Sequence, residues 1–337
     1  MTTTTISTEI LTGYTVPIAA PRLAELIAVY SQAHGLRKLV KFGATKAEIV
    51  ALVERDIITP NNLLDIGIDP KTSTSEKVGV IIGILYLTPS NSSGFWNSCP
   101  MAALGCILSC LNTAGQGGIG INPETGLNVP QAARLVRHAF FMLKRPAFLA
   151  MLSKEIEALE RKAERKNMTA AVRLNGVSDI TWENIKTPTA PNLMSQFQNV
   201  IWYDYTKLPP SMRPKIASIP NYSVTFSRSG ENDAHVLEAL QAGWNVAVVV
   251  DIPAHRKDIP VPATMEFGGV SYPKIDGDVL NSDARFKDAP NSIVVLRIKD
   301  ASGTDAQRAG FGAAGNKAAR NAQDSELGFV MTGFYNN

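Results

Sequence analysis

The chain has three cysteines in 337 residues, and all lie in one twelve-residue stretch, Cys99-Pro-Met-Ala-Ala-Leu-Gly-Cys106-Ile-Leu-Ser-Cys110. Three thiols cannot all pair as disulfides. Cys106 and Cys110, four residues apart in an apolar run, would share a helix face, with Cys99 reaching in from the preceding loop. That spacing suits three thiolates on one metal centre. The competing reading is three small buried hydrophobes, since free cysteine is among the most buried residue types; confinement to one segment favours the metal.

Ligand arithmetic narrows the metal. A closed structural zinc site takes four protein ligands, and His34, His138, His235 and His255 form no close pair to complete one. An iron–sulfur cluster held by three cysteines leaves one iron open to an external ligand, and thiolates select for such clusters. The spacing of six residues and then three differs from that of radical S-adenosylmethionine enzymes. Zinc with three cysteines and an open fourth position is the alternative.

A second group of polar residues recurs just after apolar runs that read as strands. These are Arg173-Leu-Asn175-Gly-Val-Ser-Asp179, Tyr203-Asp204-Tyr-Thr-Lys207, Ser227-Arg228-Ser229 and Asp251. In a (β/α) barrel the active site is built at the carboxyl ends of the strands, so Arg173, Asn175, Asp179, Asp204, Lys207 and Arg228 are expected to bind substrate in the cavity that holds the thiols. Three positive and two negative side chains there would suit a zwitterionic or phosphorylated ligand, with Arg173 or Arg228 gripping a carboxylate or phosphate. The competing reading pairs these residues with one another at the rim. Asp276, Asp278 and Asp283 form an acidic cluster that reads as a turn, with a substrate clamp or a hard-cation site as the alternatives. The loop Gly115-Gln-Gly-Gly-Ile-Gly120 matches neither phosphate-binding fingerprint and reads as a connection.

The elements that must position these groups follow from periodicity. Residues 20 to 58 read as helices, with Thr45-Lys-Ala-Glu48 a capping box before Ile49, Val50, Leu52 and Val53. They read as a packing hairpin, with a DNA-binding helix-turn-helix as the alternative. Asp69 to Glu76 reads as a polar linker. Strands are expected at Val80 to Leu87, Ala171 to Leu174, Val200 to Tyr203, Tyr222 to Phe226, Val246 to Val250 and Ile293 to Leu296, with a long helical region from Pro130 to Lys166 broken at Pro146. Alternation of strands and helices implies parallel pairing, hence an α/β fold: a complete or partial (β/α) barrel with a small N-terminal helical region. The expected division is 1–68 helical, 78–300 barrel-like, and 301–337 an Ala/Gly-rich tail with a final strand at Leu327 to Phe334.

Composition excludes little else. A hydrophobic content of 45% supports a sizeable core, and a net charge of +3 is too mild to argue for a nucleic-acid surface. The longest apolar run, Val78 to Leu87, is half the length that crosses a bilayer, so no membrane partner is expected. The start, Met1-Thr-Thr-Thr-Thr-Ile, lacks a signal-peptide pattern, which predicts a cytoplasmic protein with reduced thiols.

Four motifs in order, Cys99-Pro-Met-Ala with two further cysteines, Val-Arg-Leu-Asn-Gly-Val-Ser-Asp179, Tyr203-Asp-Tyr-Thr-Lys207 and Tyr222-Ser-Val-Thr-Phe-Ser-Arg-Ser229, resemble the gene product 88-like proteins of phages and plasmids over about residues 95 to 300. The resemblance implies a mobile-element origin and an iron–sulfur barrel with a Cys-Pro motif. Leu111 stands where such relatives often carry an aromatic residue after the last cysteine. Two functional classes follow. One is an enzyme with an iron–sulfur cluster and S-adenosylmethionine, a nucleotide or another small molecule on the open iron. The other is a nucleic-acid-associated accessory or replication protein with a structural metal, contacting nucleic acid through the N-terminal helices or Arg161-Lys-Ala-Glu-Arg-Lys166.

Overall fold

The computed structural model describes residues 15–67, 70–108, 110–113, 117–253, 258–261, 263–278, 286, 288–298 and 330–331. Three helices open it: α1 (Ala20–Tyr30), α2 (Gly35–Lys41) and α3 (Lys46–Glu54). The capping box at α3 forms as its sequence predicts, with Thr45 Oγ1 accepting from the Glu48 N–H and the Glu48 carboxylate accepting from the Thr45 N–H. Ile49 to Val53 are all buried, because α3 packs on the later helix α6 (Val129–Leu143). A helix enclosed along its middle has no free face to enter a DNA groove, so α3 is a packing helix.

Strand β1 (Leu64–Ile66) and helix α4 (Pro70–Ser75) precede β2 (Val80–Leu85). The expected polar linker over Asp69 to Glu76 is therefore largely helical. Pro70 opens α4, a position where its missing N–H costs nothing, and α4 packs against β2. After β2 come the short helix α5 (Leu104–Leu108), then α6 and α7 (Arg145–Arg165). The break falls at Lys144, just before Pro146, which has no N–H to continue the ladder. The remaining elements are β3 (Thr169–Arg173), α8 (Leu193–Gln196), β4 (Ile201–Thr206), β5 (Tyr222–Ser227), α9 (Asp233–Gln241), β6 (Asn245–Pro253), β7 (Thr264–Phe267), β8 (Val270–Asp276), β9 (Ile293–Ile298) and β10 (Val330–Met331).

The strands form one mixed sheet in the order β1-β2-β3-β4-β5-β6-β9-β8-β7. From β2 to β8 every neighbouring pair is parallel, and from β2 to β6 this is what long crossover connections between successive strands require. β1 and β7 pair antiparallel to β2 and β8 at the two edges. The path does not return on itself, so of the complete or partial barrel expected from the sequence the complete form is not made among the described residues: each end of the parallel run is taken by an antiparallel edge strand. β10 lies parallel to β6 beside Val249 and Val250, on the stretch that continues beyond the Asn245–Ala247 pairing with β5. It is the described part of the strand expected over Leu327 to Phe334; the Ala/Gly-rich run before it is outside the described residues.

Alternation divides the sheet into two faces. Ile81, Leu85, Ala170, Val172 and Trp202 join α6 and α7 in the large core, which also takes Phe141, Phe148 and Trp182. Val80, Ile82, Ile84, Ala171 and Tyr203 form a smaller cluster on the opposite face, with Phe286 against Tyr203. Gly83, facing the helices, leaves room for Leu64 and Leu159. No helix among the described residues is long and apolar enough to cross a membrane.

Candidate functional site

The chain leaving β2 runs through Tyr86 and Thr88 into the loop that carries Cys99. Ser98 anchors this loop twice: its hydroxyl donates to the Thr88 carbonyl at 2.7 Å, and its own carbonyl accepts the Asp179 N–H at 2.8 Å. Cys99 Sγ accepts from the Ser90 N–H at 3.3 Å and lies 3.7 Å from the Val177 carbonyl oxygen. The loop from β2 is thus stitched to the loop after β3, and the thiol sits at the seam.

Burial pushes the Cys99 thiol up to about 12, with the negative charge of Asp179 and then Cys110 adding to it against hydrogen bonds from Ser90 and Ser98. Cys106 is also raised, by burial first, with Lys207 opposing and Asp179 adding. Asp179 is therefore a neighbour common to Cys99 and Cys106. Cys110 lies within electrostatic reach of Cys99 and of Arg134. The chain after Cys110 is pinned to α6: Arg134 donates to the Asn112 carbonyl and amide oxygens, while Gln131 and Asn112 bond one another side chain to backbone and side chain to side chain.

The strand-end residues fall into a connected set. Arg173, buried, donates to the carbonyls of Asn175 and Gly176 and lies over the Tyr205 ring at 4.8 Å. Asn175 is a hub: its amide oxygen accepts from the Ser178 hydroxyl, the Ile180 N–H and the Trp182 indole N–H, and its own N–H donates to Asp204. Gly176 is needed because a Cβ there would lie 2.5 Å from Tyr86 Cδ1 and 2.7 Å from the Leu85 oxygen. Asp179 accepts from the Thr206 hydroxyl and the Lys207 N–H, each at 2.8 Å. The Lys207 ammonium donates to the Ser227 carbonyl at 3.3 Å. Arg228 is drawn to Asp233 at the start of α9, through Nε at 2.8 Å and Nη2 at 3.2 Å. Asp179 and Lys207 thus share electrostatic surroundings with the thiols, Arg173, Asn175 and Asp204 lie within the buried β3–β4 network, and Arg228 makes a rim pair.

A buried network that sequence reasoning missed lies beside them. Arg213 and Glu183 form a bidentate ion pair at 2.9 and 2.6 Å with both side chains fully enclosed. Arg213 also donates to the Tyr222 hydroxyl at 2.9 Å, which in turn donates to Asp204 at 3.0 Å. Burial lifts the Asp204 carboxyl to about 7, opposed by the Arg173 charge and the Asn175 N–H. Partners thirty residues apart on separate loops leave no periodic trace in a sequence.

Elsewhere the expected features resolve into structure. Asp276 pairs with Arg297 at 2.7 Å and accepts the Asp278 N–H, so Asp276 and Asp278 make a turn that clasps an arginine; Asp283 is outside the described residues. In the glycine loop, Gly117 supplies its carbonyl to Asn128 and Gln131 at the start of α6, while Gly115 and Gln116 lie outside the described residues. Lys162 and Lys166 of the basic stretch both reach Glu76.

Three thiols in one neighbourhood are the right donors for a soft metal or an iron–sulfur cluster. As they stand, no three His, Cys, Asp or Glu side chains among the described residues gather closely enough to hold a metal ion, and the raised thiols are protonated at neutral pH. Loading the site would require the three thiols to draw closer together and to release their protons.

A family model described as gene product 88 matches residues 63–315. No curated protein and no solved structure matches the chain.

Proposed function

This chain belongs to the gene product 88 family, and we propose that it is a phage- or plasmid-derived metal protein whose Cys99, Cys106 and Cys110 hold an iron–sulfur cluster at the carboxyl ends of β2 to β4. The observation that carries the reading is the shared surroundings of the thiols: Asp179 acts on both Cys99 and Cys106, and Cys110 acts on Cys99. Scattered core cysteines would not sense one another in this way.

The finer reading of the fold supports the same place. Strands β2 to β6 lie side by side in chain order, and right-handed crossovers between parallel strands then put their connections on one face, as in an opened (β/α) barrel. Such a sheet gathers its functional groups at the carboxyl ends of the strands. When bound, the cluster would supply an open iron or an electron. Lys207 supplies a cation beside Cys106, and Asp179 fixes the backbone of Lys207 and the hydroxyl of Thr206. A small anionic or zwitterionic molecule is the ligand class these charges favour, with S-adenosylmethionine or a nucleotide as examples. Arg228 reaches such a ligand only by leaving Asp233.

Purification without oxygen tests the reading. Iron, acid-labile sulfide and a broad visible absorption are expected in the wild type, and each of Cys99→Ala, Cys106→Ala and Cys110→Ala should lose most of the metal. Stoichiometric zinc lost in the same variants would keep the thiol centre and replace its metal. Metal-free protein, or metal content unchanged in all three variants, overturns the centre.

A further inference from the structure

Beside the cysteine segment, and separate from the thiols, lies a cavity of about 140 Å3 lined by Lys46, Thr88, Ser92, Asn112, Gln131 and their neighbours. Two of its groups are left wanting. Thr88 is 4% exposed, and its hydroxyl has no hydrogen-bond partner. An unmade hydrogen bond at a buried hydroxyl is a cost that native structures rarely carry without a ligand or water to meet it. Lys46 is half-buried and donates to the Ser92 carbonyl at 2.6 Å, and no carboxylate among the described residues pairs with it. Desolvation lowers its pKa, and its place as the first residue of α3 sets its charge against the positive end of the helix dipole. A cation held in a partly dry place, against the local field and without a counterion, lacks a negative charge.

The other polar groups do not supply one. The Gln131 amide nitrogen is spent on the carbonyls of Asn112 and Gly117, the Asn112 amide oxygen is taken by Arg134, and the Thr113 hydroxyl donates to the Cys110 carbonyl. What remains unspent is chiefly donor capacity: further N–H bonds on Lys46 and the hydroxyl of Thr88, which can donate as well as accept. Donors without acceptors, around a space that holds roughly half a dozen non-hydrogen atoms by comparison with cavities known to take benzene, describe a site for a small oxyanion.

We infer that this cavity binds a small oxyanion, a phosphate or a short carboxylate, through Lys46 and Thr88. The site does not rest on the thiol reading, because neither group belongs to the cysteine network. It does adjoin that network: the carbonyl of Thr88 holds Ser98, and Asn112 and Thr113 directly follow Cys110 and Leu111. Occupancy would brace both ends of the cysteine segment.

Calorimetric titration of the full chain with inorganic phosphate, and separately with acetate, tests this at ionic strength held constant with sodium chloride. Saturable one-site binding of at least one anion is expected, and the stronger of the two identifies the class. Lys46→Gln should weaken it by about tenfold or more, the worth of a hydrogen bond to a charged group. Thr88→Val, nearly the same shape, should weaken it several-fold, and Lys46→Arg should retain it. Saturable binding of neither anion, or wild-type affinity in Lys46→Gln, overturns the site. If Lys46→Gln does not fold, Thr88→Val decides, and unchanged affinity in that variant also overturns it.

Discussion

The backbone N–H of Asp179 donates to the carbonyl of Ser98 at 2.8 Å, while the Asp179 carboxylate receives the Thr206 hydroxyl and the Lys207 N–H. One residue thereby joins the loops after β2, β3 and β4, next to Cys99. Its charge also falls on two thiols. Replacing it with Asn keeps the shape and removes the charge, so the pKa of Cys99 and of Cys106 should fall, since Asp179 raises both. Alkylation of the metal-free protein followed against pH should show its midpoints moved downward in Asp179→Asn. Midpoints that stay in place or rise would separate Asp179 from the thiols.

The enclosed Glu183–Arg213 pair makes a stability prediction. Removing one partner leaves the other charge buried and unpaired, which costs about 3–5 kcal/mol. Glu183→Gln and Arg213→Met should each lower urea stability by that order. The double variant should lose clearly less than the sum, because the stranded charge is gone. Additive losses would mean that the two residues act independently.

Asp204 and His138 give opposite pH dependences. Burial raises the Asp204 carboxyl from its ordinary 3.8 to about 7. The folded state then binds more protons than the unfolded state between these values, so this contribution is complete below about pH 4 and is lost as pH rises through 7. Burial lowers His138 to about 4, against a hydrogen bond to the Thr88 backbone, so its contribution is present above about 6.5 and is lost as pH falls toward 4. The two oppose each other between pH 4 and 6.5. In Asp204→Asn the His138 slope should stand uncovered, with stability relative to wild type improving as pH rises from 4 to 7. Parallel wild-type and variant curves in chemical denaturation across that range would contradict the assignment.

Gly176 predicts a packing cost. In Gly176→Ala the new methyl would press on the Tyr86 ring and the Leu85 carbonyl oxygen, and overpacking of this kind costs about 1–3 kcal/mol. Because a backbone atom is one of the obstacles, the strain cannot be relieved by a rotamer change alone. Tyr86→Ala should recover part of the loss in the double variant; full additivity would place the clash elsewhere.

Much of this protein is determined locally. The six expected strands that become β2, β3, β4, β5, β6 and β9 are apolar runs whose period and separation hold wherever they pack, and parallel order follows from the length of chain between them. The capping box at Thr45 and the break before Pro146 are likewise matters of neighbouring residues. The hairpin of β7 and β8 was not among the expected strands, although the Gly268-Gly269 pair, whose residues both take positive φ at its turn, is the kind of local signal that marks one. Confinement of the cysteines to one segment is also a property of the sequence.

Other features depend on distant parts of the chain and were decided only by tertiary structure. β1 is three residues long and is a strand only because Leu64 to Ile66 meet β2. Whether the parallel run closes depends on what occupies its edges, and β1 and β7 occupy them. Arg228 was expected at the ligand and pairs with Asp233 five residues on, while Glu183 finds Arg213 across thirty residues in a space too dry for either to remain alone. Charge pairing depends on distance and solvent, and sequence spacing carries neither once the chain has crossed a sheet.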